Sequence, residues 1–151
     1  AWRAMLDTNL TGTFLCCQVF GSAMAKRGRG GIINISSVYG RRSPDQRIYA
    51  WRRPPFFKPL AYSVSKAGVE MMTRYLAAYW AGLGVRVNNL VLAGVFNRQD
   101  PRFLRNYRRK VPLGRMARVE ELRGALLFLA SDASSFMTGA DLVLDGGYTC
   151  W

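Results

Sequence analysis

The 151-residue sequence contains no histidine, and that absence removes Ser-His-Asp and Cys-His nucleophile arrangements together with every histidine metal site. Acid-base chemistry must rest on other side chains. Carboxylates are scarce, nine against 22 lysines and arginines, and the only adjacent pair, Glu120 and Glu121, reads as a helix start. Cys16, Cys17 and Cys150 are odd in number and lack C-x-x-C spacing, which argues against a disulfide framework or a cysteine zinc site. Reduced thiols and no metal are expected. Charge or glycine interrupts every apolar run well before the ~20 residues that cross a bilayer, and the opening "AWRAMLDTNL" lacks the charged-then-apolar order of a signal peptide. The expectation is a cytoplasmic protein with no membrane partner.

What is present suits one domain over residues 1–151, since half of the residues are hydrophobic and a chain of this length buries a substantial core. The formal charge of +13 raises the question of a polyanion partner, with "RNYRRK" at 105–110 the densest patch. The basic residues, mostly arginine, are spread along the whole chain, and no helix-turn-helix, zinc-finger or RNP signature accompanies them. They read as a solvated surface with a local site for an anionic substrate or cofactor phosphate, and no nucleic-acid partner is expected.

Along the chain, helical and strand patterns alternate. Residues 2–27 carry Met5, Leu10, Phe14, Val19, Phe20 and Met24 at helical spacing and end in "KRGRGG". "GIINISS" then reads as a buried strand ending in Ser36 and Ser37. Residues 40–60 hold four of the six prolines and predict irregular structure. A helix from Ala61 to about Leu83 is stopped by Gly82 and Gly84, and "VRVNNLVLAGV" is a second strand. Residues 97–116 are polar and arginine-rich, "RVEELRGALLFLASD" reads as an amphipathic helix, and "GADLVLDGG" as a last strand. Such alternation predicts a parallel sheet covered on both faces, with ligands collecting at the carboxyl ends of the strands.

One short stretch carries chemistry. In "AYSVSKAGVEMM", Tyr62 and Lys66 are four apart and therefore neighbours on one helical face, with Glu70 and Arg74 continuing the stripe. A positive charge beside a phenol favours its ionised form, which suits a group that trades a proton with a substrate. Ser36 or Ser37, at a strand end, can converge on the start of this helix.

In order along the chain, "DTNLTGTF", "GIINISSVYG", "YSVSK", "VRVNNLVLAGV" and "PLGRMARVEELRGALLFLASDASSFMTGADLVLDGG" resemble the motifs of the short-chain dehydrogenase/reductase family. The likeness covers essentially the whole chain. It implies an α/β doubly wound, Rossmann-like parallel sheet, of which residues 1–151 are the C-terminal portion, incomplete at the N-terminus. It also implies hydride transfer between NAD or NADP and an alcohol or carbonyl substrate. Tyr62 would exchange the proton, Lys66 would hold the nicotinamide ribose and assist the tyrosine, Ser37 would hydrogen-bond the substrate oxygen, and Asn9 would help hold a relay water. The backbone of Val95 would approach the nicotinamide, so Tyr62, Lys66 and Val95 form the expected cofactor contacts. A homo-oligomer built through the two long helices is implied as well.

Three departures accompany the likeness. No G-x-x-x-G-x-G loop follows a strand, so the pyrophosphate cradle is missing and residues 1–151 alone are expected to be inactive. Leu92 and Ala93 stand where the family usually has Pro-Gly. The loop between Ser37 and Tyr62 is long, and its "SPDQRIY" resembles a branch associated with surface-sugar and flagellin-glycan biosynthesis. The alternative function is a non-catalytic remnant acting as an oligomerising or anion-binding module.

Overall fold

The computed structural model describes residues 1–151. Strands β1 (Gly30–Ser37), β2 (Val85–Leu92) and β3 (Asp141–Leu144) pair in parallel in that order. Gly30 lies opposite Val85 and Ser37 opposite Leu92, while Asn89 lies opposite Asp141 and Leu92 opposite Leu144. Flanking helices cover the sheet. The first, α1, spans residues 2–26 as α-helical turns interrupted by π turns at Asp7–Thr11 and Cys17–Gly21. Between β1 and β2 runs α2 (Leu60–Trp80), and β2 is followed by α3 (Pro101–Arg108) and α4 (Leu122–Ala130).

Two apolar clusters occupy opposite ends of the sheet. Cys17, Leu76, Ala77, Trp80, Val85 and Val87 pack where the strands begin. At the other end, where the strands finish, Tyr39, Tyr49, Tyr107 and Tyr148 join Val38, Ile48, Val91, Val111 and Met116. The two clusters differ in character, and the aromatic one lies under the candidate site.

Between them α2 is fixed to the sheet by polar groups. Thr73, fully buried, accepts from the Asn34 side-chain amide and donates to Asn89 Oδ1, each at 2.8 Å. Three positions away, Glu70 accepts from Ser36 Oγ at 2.7 Å and pairs with Arg41 Nε at 3.0 Å. Arg41 and Arg74 both bind Asp141, whose other oxygen accepts from Asn89 Nδ2 at 2.6 Å. Every buried polar atom in this belt therefore has a partner, as burial away from water demands.

The stretch 97–116, read only as polar and arginine-rich, contains α3. Asp100 caps it by accepting from the Arg102 amide, and Pro101 fills the first helical position, a start signal that the arginine content obscured. Residues 119–121, expected to be α-helical, form a 3-10 turn ahead of α4. Gly40 marks the tightest crossing, since a Cβ there would stand 2.9 Å from Ala67 N and Lys66 C. The chain leaving β1 thus passes directly over the first turns of α2.

Candidate active site

Ser36 and Ser37 end β1 with opposite fates. The hydroxyl of Ser36 is consumed by Glu70 and by the Lys66 carbonyl at 3.2 Å. The hydroxyl of Ser37 accepts only from the Tyr39 amide, at 3.2 Å, and lines a cleft of about 240 Å³. Tyr62, Lys58 and Val95 line the same cleft, with Tyr39, Tyr49, Phe103, Tyr107 and Met116 as its walls. Sequence reasoning alone did not separate the two serines, whereas hydrogen bonding does.

Tyr62 stands in the first turn of α2, where its ring meets Tyr39 edge-on at 6.5 Å between centroids. Lys66 Nζ lies 5.9 Å from the centre of that ring and donates to the Ile35 carbonyl at 2.9 Å. It does not pair with Glu70, which turns inward to Ser36 and Arg41, so of the stripe expected from four-residue spacing Glu70 is buried in the sheet contact and Tyr62 faces the cleft. Burial holds the Lys66 ammonium below the ordinary lysine pKa.

Asn9, in the first π turn of α1, donates from Nδ2 to Ser65 Oγ at 3.1 Å, and Ser65 Oγ donates to the Tyr62 carbonyl at 2.7 Å. This ties α1 to the turn of α2 that carries Tyr62 and leaves Asn9 Oδ1 without a protein donor. Ser63 Oγ, on the same turn, is buried and unpartnered.

Val95 sits just beyond β2 and pairs in parallel with Ala117. In that pairing the bonds run from Ala117 N to Gly94 O at 3.0 Å and from Phe96 N to Ala117 O at 2.8 Å, so Val95's own backbone groups point the other way. Its carbonyl accepts from Gln99 Nε2 at 2.8 Å, and its N–H makes no hydrogen bond within the chain. The Leu92-Ala93 departure is absorbed locally. Leu92 completes β2, Ala93 N extends the ladder to Leu144 O at 3.3 Å, and Gly94 takes the close approach. A Cβ at Gly94 would meet Tyr107 Cζ at 2.8 Å and Met116 Cε.

The charged residue that sequence reading missed is Lys58. It lies in the irregular 40–60 loop, yet its ammonium sits 4.1 Å from the centre of the Tyr62 ring and 5.9 Å from that of Tyr39. Burial depresses its pKa also, while burial drives the phenols of Tyr39, Tyr49 and Tyr107 upward and keeps them neutral. No three histidine, cysteine or acidic side chains converge as metal ligands, and no helix is long and apolar enough to cross a membrane.

The sequence profile described as enoyl-(acyl carrier protein) reductase matches residues 1–149. The chain belongs to the short-chain dehydrogenase/reductase family. It is 40% identical to the galactitol 2-dehydrogenase (L-tagatose-forming) of Cereibacter sphaeroides over 99% of its own length and 58% of the relative's. The structure of a short-chain dehydrogenase from Leptospira borgpetersenii with bound NAD+ superposes with a TM-score of 0.90 at 39% identity, covering 98% of this chain and 56% of that one. A gluconate 5-dehydrogenase from Burkholderia cenocepacia, in complex with NADP and tartrate, gives 0.87 at 33% identity, covering 99% and 56%. The chain thus spans little more than half the length of these short-chain dehydrogenases, and the fold is their Rossmann type.

The different fates of the two serines are measurable. Ser36→Ala is expected to destabilise the protein by about 1–3 kcal/mol, because it strips a donor from buried Glu70. Ser37→Ala, which gives up a single longer contact of 3.2 Å to the Tyr39 amide, should cost less than Ser36→Ala, whose hydroxyl serves a charged carboxylate at 2.7 Å. Equilibrium denaturation checks the order, and equal losses would contradict it.

Proposed function

We propose that this chain supplies the proton-transfer half of an NAD- or NADP-dependent oxidoreductase acting on an alcohol or carbonyl carbon of a sugar-derived substrate. The observation that carries the reading is the convergence of Ser37, Tyr62 and Val95, from three separate elements, on one cleft at the carboxyl end of the strands. Family likeness assigns the roles, and the geometry suits them. Tyr62 gives or takes the proton. Ser37, with a hydroxyl hydrogen uncommitted, holds the substrate oxygen. Asn9 Oδ1 is free to accept from a relay water.

The residues fit the nicotinamide end of such a cofactor. Val95 offers an unpaired amide, and Lys66 brings a half-buried ammonium to the end of β1 for the ribose hydroxyls. The bound nicotinamide supplies or accepts the hydride; the protein's part is to orient the substrate and move the proton. We take the active unit to be this chain joined to a glycine-loop half of the kind the family carries, and residues 1–151 alone to be inactive. A cytoplasmic setting with free thiols belongs to this reading, and the surface-sugar or flagellin-glycan branch is a narrower form of it. The second reading is an oligomerising or anion-binding module without catalysis, but it leaves the Ser37–Tyr62 cleft without a use.

Assembly belongs to the proposal too. Phe14, Val19 and Phe20 of α1 and Met71, Tyr75 and Tyr79 of α2 are exposed, and an apolar face of that extent suits a second copy of the protein. Light scattering of the joined protein at micromolar concentration should give a dimer or larger, and a monomer alone would count against it. For catalysis, Tyr62→Phe should lower turnover by about 10²–10⁴-fold while dinucleotide affinity stays within a few-fold, since only the transferable proton is removed. Wild-type turnover in that variant would remove Tyr62 from the mechanism.

A further inference from the structure

Lys58 has an unusual environment for a cation on a strongly basic protein. Its backbone is clamped by Gln46, which accepts from Lys58 N at 2.8 Å and donates to Lys58 O at 3.1 Å, so the residue is held in place. Its ammonium nevertheless has no carboxylate partner and donates no hydrogen bond within the chain; two tyrosine rings are its neighbours. The acids of this region are already committed. Asp45 binds Arg47 and Lys110, and Asp100 binds Arg102. A half-buried, unpaired ammonium is costly unless something outside the chain completes it.

The surroundings say what that something is. Lys58 joins the catalytic cleft to a second one of about 620 Å³, and Tyr49, Gln99 and Phe103 line both. The second cleft adds Arg52, Arg53 and Arg102, with Asp100 the only carboxylate on its wall. Aromatic faces hold two of the guanidinium groups in place, Arg52 over Phe56 at 5.0 Å and Arg102 over Trp51 at 4.2 Å. With Asp100 paired to Arg102, Lys58, Arg52 and Arg53 leave a net positive charge along the second cleft, while Lys58 is the one charge on the Tyr62 side. A partly desolvated groove of that kind favours an anion and disfavours a neutral polyol.

We propose that the substrate is an anionic polyol derivative, bearing a carboxylate or phosphate ester a few bonds from the reacting carbon, and that Lys58 receives this group, with Arg52 and Arg53 beyond it. The inference rests on the catalytic reading of the Tyr62 cleft and narrows its substrate class. Lys58 then acts as a specificity residue, reached by the part of the substrate that does not react.

The test compares gluconate, glucitol 6-phosphate and glucitol as carboxylate, phosphate and neutral probes of the joined protein. The ratio of kcat/KM for the better anion to that for glucitol should exceed one in the wild type. It should fall by about 10- to 100-fold in Lys58→Met, the scale of one charge-assisted contact, and return in Lys58→Arg. Whichever anion is preferred identifies the group. An unchanged ratio, with both substrates losing turnover together, would overturn the proposal and assign Lys58 to the Tyr62 ring instead. Calorimetry with the same three probes on the Tyr62→Phe protein decides the matter without turnover. Tighter binding of an anion that Lys58→Met abolishes supports the proposal even if the catalytic reading fails, whereas equal or absent binding of anions and glucitol sinks it.

Discussion

Thr73 is held between the side-chain amides of Asn34 on β1 and Asn89 on β2, and the rest of the site depends on that contact. Turning α2 by one residue, roughly 100°, would break both bonds and leave Asn34 Nδ2 and Asn89 Oδ1 buried without these partners. Apolar packing alone is forgiving about such rotations. Polar groups with fixed donors and acceptors are not. Glu70 adds a second pin by accepting from Ser36, one residue before the serine that faces the cleft. With the helix phase fixed at Thr73 and Glu70, Lys66 and Tyr62 follow at four-residue steps toward the strand ends. Ser37 is placed by the same strand that carries Asn34 and Ser36. The geometry of the cleft is thus set by contacts buried one to three turns away from it.

Much of this was legible in the residues. The alternation of helix and strand patterns gave the parallel sheet, because 3.6- and 2-residue periodicities survive in Leu60–Trp80 and in the β-rich runs of β1 and β2. Tyr62 and Lys66 announced themselves by four-residue spacing. Ser37 could not be chosen over Ser36 in that way, since the difference lies in which hydroxyl Glu70 takes, a contact 34 positions away in sequence. Asn9 and Val95 carried no local signal either: one reaches Ser65 on another helix, and the other presents backbone left over from a bridge to Ala117. Lys58 was hidden for a different reason. A proline-rich loop has no periodicity to say which side chains turn inward, and only the Gln46 clamp fixes this one.

On the proposed reading, the labour of a dinucleotide enzyme is divided unevenly in this chain. The groups to which the proposed mechanism gives the proton and the nicotinamide stand together within a wall of tyrosines kept neutral by burial. Groups that grip a pyrophosphate are of another kind, namely glycine-loop amides at a helix N-terminus, and this sequence has no such loop after a strand. Lys66 and one free amide at Val95 offer few contacts against the entropy lost when a flexible dinucleotide is immobilised. On the proposed reading, family membership and cofactor affinity are therefore separable.

The most direct measurement of that separation is calorimetric titration of NAD and NADP into residues 1–151 and into the same residues joined to a glycine-loop half. The account predicts no heat of binding at micromolar dinucleotide for residues 1–151 and saturable binding for the joined protein. Micromolar affinity of residues 1–151 for either dinucleotide would contradict it.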